Sequence, residues 1–250
     1  MNASVKALLC WLAVLCAPGV LAQVPETGRW QDLDFSQVDV HSRTADQYWD
    51  LLIALSRKNR LDDDAGLVRR ATRITNTLIA AAARIRPETG EWDWEIHTTS
   101  DPDIDAFCMA GGKLMIGSAF VSRLALDDAE LATLIAHEVA HAVADHHREF
   151  LSSVLHISPL PYATLDITLS RLDSDLTLQW RMAKLANLQE READQLGMVL
   201  AHQAGWPAAG MERFYRKLAD ADAPSMMSSS HPPPASRLSM AKGMALLFGQ

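Results

Sequence analysis

Apolar residues recur at two different periods along this chain, and the changes between them divide it into elements. Between residues 45 and 58, Tyr48, Leu51, Leu52 and Leu55 step by three or four, as the buried face of a helix does. Asp62-Asp63-Asp64 follows, and acids suit a helix N-terminus, so a second helix is expected to open there. Its apolar face is Leu67, Ala71, Ile74, Leu78, Ala82 and Ile85, with Arg69, Arg70 and Arg73 elsewhere on the cylinder; Pro87 and Gly90 end it. At Trp92 the period drops to two. Trp92, Trp94 and Ile96 alternate with Asp93, Glu95 and His97, which predicts a half-buried strand. A turn at Asp101-Pro102-Asp103 leads to a second short strand over 106–109, and Gly111-Gly112 turns the chain into a third at Leu114-Met115-Ile116. The pattern predicts a small antiparallel sheet.

Helical spacing then returns. Asp127 can cap a helix with Glu130 as its reciprocal partner in a capping box, and that helix is expected to run to about His147. Leu131, Ile135, Val139 and Ala142 lie on one side of it, and Ala136, Ala140 and Ala144 form a narrow lateral stripe. Ser158-Pro159-Leu160-Pro161 interrupts the chain. A helix over about 173–201 carries the stripe Ala183, Ala186, Glu190, Ala193, Gly197 and Ala201, small apart from one carboxylate. Small residues let another helix approach closely, and the alanine side of the preceding helix is the expected partner. Gly205-Trp206-Pro207 precedes a helix over 208–219 with Met211, Phe214, Tyr215 and Leu218 inward. A loop rich in Ser, Met and Pro holds His231, and a last helix over about 235–248 carries Arg237 in its first turn. Residues 23–42, polar with scattered Asp, Gly and Pro, read as an extended N-terminal arm.

Composition narrows this picture. The 250 residues, 48% of them apolar, suffice for one well-buried globular domain, placed at 43–250. A net charge of −8 without a basic stripe argues against a nucleic-acid partner. Lys6, an apolar run from Ala7 to Leu15 too short to span a bilayer, the helix breakers Pro18 and Gly19, and small residues up to Ala22 predict a signal peptide over 1–22. A periplasmic location is therefore expected, with secretion as the second choice. No transmembrane span is expected after signal removal, and peripheral association with the envelope is a further expectation. Removing that segment leaves Cys108 as the one cysteine, read as a buried, inert thiol.

The candidate chemistry lies in His137-Glu138-Val139-Ala140-His141. Two histidines four apart on a helix share a face, so both rings can reach one metal ion, and His-Glu-x-x-His is the zinc motif of a metalloprotease. A catalytic zinc keeps three protein ligands. Glu190 is the expected third, because it interrupts the small stripe. Asp194, one turn later, can accept a hydrogen bond from the far nitrogen of a ligating histidine. Glu192 lies about 200° away around the helix and is the weaker candidate ligand. Glu138 is the expected general base. Arg237 and His231 are candidate partners for the developing oxyanion; a helix-surface arginine and an ordinary loop histidine are the alternatives.

With these residues in place, the chain resembles the zinc endopeptidases typified by HtpX and BepA, related to the CaaX prenyl endopeptidases. The resemblance rests on the stretch from Asp105 to Gly117, the 127–147 helix with its motif, the Glu190-x-x-x-Asp194 pair, Gly205-Trp206-Pro207, and His231-Pro232 followed by Arg237. It covers nearly all of the chain after about Leu67. Two positions depart from the family pattern: Asp105 stands where Asn is usual and Ala110 where Pro is usual. The hydrophobic spans of HtpX are absent.

The resemblance implies an α+β, mainly helical, zincin-like (gluzincin) fold with an active-site helix and a small antiparallel β-sheet. It implies one Zn²⁺ per chain, with Glu190 as third ligand, and hydrolysis of peptide bonds in unfolded or misassembled envelope proteins. Substrate would be bound as an added strand beside a sheet edge at Lys113, Leu114, Met115, Ile116 and Gly117. His231 resembles a histidine that closes the site by occupying the open position on zinc. The alternative of another class is a catalytically silent chaperone or assembly adaptor with the same fold.

Overall fold

Helix starts in this protein follow its capping residues. The computed structural model describes residues 20–221 and 234–249. The Ser36 hydroxyl accepts from the Asp39 N–H at 3.0 Å and starts α1 (Gln37–Arg57), eight residues before its apolar period becomes visible. Ahead of it, β1 (Val20–Gln23) pairs antiparallel with β2 (Trp30–Leu33). The extended arm expected over 23–42 is thus a hairpin and two turns of helix. Four-residue strands are too short to show a period, although β2 does bury alternate residues, Gln31 and Leu33. β1 overlaps the end of the expected signal segment, whose residues 1–19 lie outside the described residues.

Of the three successive aspartates, only Asp64 caps α2 (Ala65–Ile85), accepting from the Gly66 and Leu67 N–H groups. Asp62 turns back instead and accepts from the Thr98 N–H at 2.8 Å. The strand period seen from Trp92 becomes β3 (Glu95–Thr99) only beyond Trp94; Trp92 and Trp94 stack on each other 5.7 Å apart, and the Trp94 indole donates to the Thr89 carbonyl.

β4 (Ala106–Met109) and β5 (Lys113–Gly117) form a hairpin about Gly111 and Gly112, whose φ of +78° and +82° glycine adopts without steric cost. The strand order is β3-β5-β4, with β5 parallel to β3 and antiparallel to β4. The sheet is therefore mixed rather than antiparallel, because the 100–105 connection carries the chain to the far side of where β5 will lie. All five residues of β5 are buried, as befits a central strand covered on both faces.

α3 (Ser118–Arg123) leads into α4 (Asp128–Val143), whose capping box is complete: the Glu130 N–H donates to Asp127 and the Asp127 N–H donates to Glu130. α4 is buried on nearly every side. It does not continue to His147. Asp145 takes a left-handed conformation (φ +55°), and a new helix, α5 (His146–Ile157), starts after it. Arg86 stabilises the break by donating to the Val143 carbonyl and pairing with the Asp145 carboxylate, both at 2.8 Å.

α6 (Leu165–Ser174), α7 (Leu176–Gln203), α8 (Ala208–Asp220) and α9 (Pro234–Phe248) complete the described chain. The main core joins Leu67, Ile74 and Leu78 of α2, Leu114 and Ile116 of β5, Ile135 and Val139 of α4, and Leu196 and Leu200 of α7. The small stripe of α7 lies on α4: a Cβ on Gly197 would come within 2.9 Å of the His137 backbone. Helix on helix around one core, with a small sheet at the side, is a mainly helical α+β arrangement. No described helix is long and apolar enough to cross a membrane.

Candidate metal centre

The backbone contact at Gly197 sets the distance between α4 and α7, and so decides what the facing polar side chains can share. His137 and His141 lie one turn apart on α4, and Glu190 comes from α7, two turns before Gly197. His137 Nε2 and His141 Nε2 are 3.2 Å apart; each lies 3.3–3.4 Å from an oxygen of Glu190. Bonds of about 2.0–2.1 Å in a tetrahedral arrangement put donor atoms about 3.3 Å from one another. The three side chains therefore fit a single metal ion, and they form the one metal-competent group of three or more among the described residues. Burial opposes a charged His137, but Asp194 and Glu190 more than offset it and push its pKa up to about 10. Two carboxylates about one imidazole thus favour a cation between them.

Behind His137, the buried Asp194 lies 2.9 Å from Nδ1. Burial alone would raise its pKa; His137 and Arg237 together hold it down to about 2. An ionised Asp194 this close favours a hydrogen on Nδ1, which would leave Nε2 to a bound metal. Asp194 is itself held by the Tyr215 hydroxyl at 2.7 Å and by two bonds from Arg237, at 2.8 Å from Nε and 2.6 Å from Nη2. This corrects the expectation for Arg237. Its guanidinium is buried, committed to Asp194 and set over the Tyr215 ring at 5.2 Å, on the side of His137 away from the cavity. It braces Asp194 behind His137 and does not line the cavity. Tyr215 was legible only as an inward residue of its helix, since nothing in the period says what its hydroxyl meets. His231, expected as a gate and oxyanion partner, lies outside the described residues.

The break at Asp145 gives His141 its neighbour. His146 opens α5 with Nδ1 3.1 Å from His141 Nδ1, and its Nε2 lies 3.4 Å from Glu192. Burial holds His146 neutral, with a pKa of about 4. Burial would raise Glu192, but His146 and Arg29 offset this and hold it at about 2. The participation of Arg29, Glu149 and Glu192 was not legible, because the three lie more than forty residues apart.

A cavity of about 320 Å³ opens on this centre, lined by Glu138, His137, His141 and Glu190 on one side and by Ala106, Phe107, Cys108 and Ala110 on the other. The sheet edge beside it is therefore β4. The expected substrate edge, Lys113, Leu114, Met115, Ile116 and Gly117, is the central strand β5, hydrogen-bonded on both sides, with the Lys113 ammonium tied to Glu95 and to the Asp93 carbonyl at 2.6 Å. Among the described residues no strand pairs with the other edge of β4. Burial pushes the Cys108 thiol well up, which leaves it a poor nucleophile.

Comparisons with known proteins agree with this architecture. The family model of peptidase family M48 matches residues 67–245. The chain is 27% identical over 186 residues to the beta-barrel assembly-enhancing protease of Yersinia pestis, covering 68% of this chain and 37% of that protein. It is 26% identical over 254 residues to a putative beta-barrel assembly-enhancing protease of Vibrio cholerae, covering 93% and 50%. To the mitochondrial metalloendopeptidase OMA1 of Arabidopsis thaliana it is 30% identical over 141 residues, covering 56% and 29%. The chain thus spans about a third to a half of the length of these relatives. The match runs through both helices of the metal centre, and the chain belongs to peptidase family M48.

Proposed function

We propose that this protein is a zinc endopeptidase that cleaves unfolded or misassembled proteins of the cell envelope, laid as an added strand along the free edge of β4. The observation that carries the reading is the convergence of His137, His141 and Glu190 beside Glu138 in one cavity with an edge of β4 that no strand among the described residues pairs with. Two imidazoles and a carboxylate are the donor set of a catalytic zinc site with one open position. When bound there, zinc supplies Lewis acidity toward a carbonyl and lowers the pKa of water to near neutrality.

The chain's own residues do the rest. Asp194 and His146 fix the outer nitrogens of the two histidines. β4 offers backbone N–H and C=O groups to an extended peptide and aligns it across the cavity. Glu138, largely buried on the cavity wall, takes the proton of the attacking water and returns it to the leaving nitrogen. Envelope substrates and a periplasmic location are supported by the leader pattern of residues 1–22 and by the beta-barrel assembly-enhancing relatives.

The test pairs metal content with cleavage of an unfolded protein for the wild type and Glu138→Gln. The expected outcome is one zinc in both and cleavage lowered at least about 100-fold in the variant. A wild type that binds clients without cutting them would replace this reading with that of a silent chaperone.

A further inference from the structure

A second cavity, of about 490 Å³, adjoins the one on the metal centre and lies between α5, the end of α6 and the start of α7. Phe150, Leu172, Leu176, Trp180, Met182 and Ala186 stand in its wall. Among the described residues that line it none is charged, and the Gln179 amide is committed to the Leu172 carbonyl at 2.6 Å. Its floor is core: Met182 is buried in one cluster with Val154 and Leu178, and Phe150 and Leu172 pack on that cluster. Its rim lies in water, with Leu176 77% and Trp180 79% exposed. Large apolar side chains left exposed around an apolar hollow mark a place where something binds.

The position identifies the occupant. Phe150 lines both cavities, and Ala186, in the wall of the second, lies one helical turn before Glu190, in the wall of the first. From Glu190 back to Ala186, and on to Trp180, α7 covers about 6 to 15 Å at 1.5 Å per residue. An extended peptide advances about 3.3 Å per residue. The second cavity therefore takes side chains about two to five residues from a bond held at the metal centre. A charged side chain placed there would lose water and gain no partner, whereas a Phe, Trp, Leu or Met side chain would be buried against its own kind.

Resting on the reading of this protein as an endopeptidase, we propose that the second cavity is a distal subsite for a bulky apolar side chain of the substrate, with Leu176 and Trp180 as specificity-determining residues. The enzyme then selects apolar stretches of polypeptide, which a folded protein buries and an unfolded one exposes.

The test maps the cuts that the full chain makes in a mixed peptide library by mass spectrometry. KM and kcat are then measured on one cleaved peptide and on its copy with the apolar residue changed to Ser. The wild type is expected to favour Phe, Trp, Leu or Met about two to five residues from the cut. The double variant Leu176→Ser, Trp180→Ser is expected to lose that preference, with KM for the apolar peptide raised about 10-fold at unchanged kcat. The Ser peptide should be cleaved alike by both proteins, and Trp180→Phe should keep the preference. In a Glu138→Gln background, which holds peptide without cutting it, the same two Ser substitutions should raise the Kd of the apolar peptide by a similar factor. Both rim side chains stand mostly in water, so the double variant removes little core packing; an unchanged thermal midpoint checks this. Unchanged preference, KM and Kd in the folded double variant would overturn the subsite and leave the proposed function standing. Loss of a dimer in sedimentation, or of binding to phosphatidylethanolamine–phosphatidylglycerol vesicles, in place of a KM effect would likewise overturn it and give the rim to a second copy or a lipid surface. A wild type that cuts no peptide of the library would overturn the proposed function, and this inference with it.

Discussion

At the scale of single residues, what a charged group does is decided by what it faces. Arg237 is spent on Asp194, which is wholly buried between His137 and Tyr215. Arg237→Met would leave that carboxylate charged and short of its cation. The expected cost is on the order of 3–5 kcal/mol in denaturant unfolding; an unchanged midpoint with lost activity would restore the oxyanion role. His41 shows the opposite sign of electrostatics. Burial, then Arg86, Arg148 and Lys113, lower its pKa to about 4, and it packs edge-on to Trp92 at 4.9 Å. The folded protein therefore holds His41 neutral where the unfolded chain, with an ordinary value near 6.5, takes a proton. Its contribution is complete above about pH 6.5 and is lost as the pH falls toward 4. In metal-free protein, lowering the pH from 7 to 5 should destabilise the wild type by about 1 kcal/mol more than His41→Phe, after allowance for its partial exposure. Equal losses in the two proteins would remove His41 from the account.

At the scale of elements, the contact of α4 with α7 governs the site. The stripe of small residues on α7 was legible, and the close approach follows from it. A Cβ at Gly197 would meet the His137 Cα and N at 2.9 Å and the Ala136 carbonyl carbon at 3.0 Å, so backbone lies against backbone. In an exposed helix, Gly→Ala stabilises by about 1 kcal/mol. Here Gly197→Ala should instead destabilise by roughly 1–3 kcal/mol, and it should weaken metal binding by carrying Glu190 and Asp194 away from His137. Thermal unfolding together with a zinc titration reads both effects; a more stable variant with wild-type affinity would contradict the close packing. The break between α4 and α5 was not legible. The helical period of 127–147 continues across it, whereas the break depends on Arg86 of another element reaching Val143 and Asp145.

At the scale of the whole molecule, a metal held by His137, His141 and Glu190 would tie α4 to α7, and Arg29 ties the N-terminal hairpin to both α5 and α7. A ligand that binds only the folded state adds stability, about 2.7 kcal/mol at 100 times its dissociation constant. For a chain of this size that corresponds to roughly 5–10 °C in the unfolding midpoint. Chelation should lower the midpoint by that amount and added zinc should restore it. A midpoint insensitive to chelator would mean that His137, His141 and Glu190 hold no metal.

Features that depend on neighbours in the chain were determined by the sequence alone. The Asp127–Glu130 capping box, the two histidines on one helical face, the small stripe with Glu190 on it and Asp194 one turn later, and the glycine turn at 111–112 all follow from spacings of a few residues, where helix and turn geometry are fixed. Features that depend on contacts across long separations were decided only by the tertiary structure. β5 became the central strand because of where the 100–105 connection runs, a fact with no period. Arg237 turned to Asp194, and Arg29 to Glu149 and Glu192, because a buried carboxylate must find a cation wherever the fold brings one near.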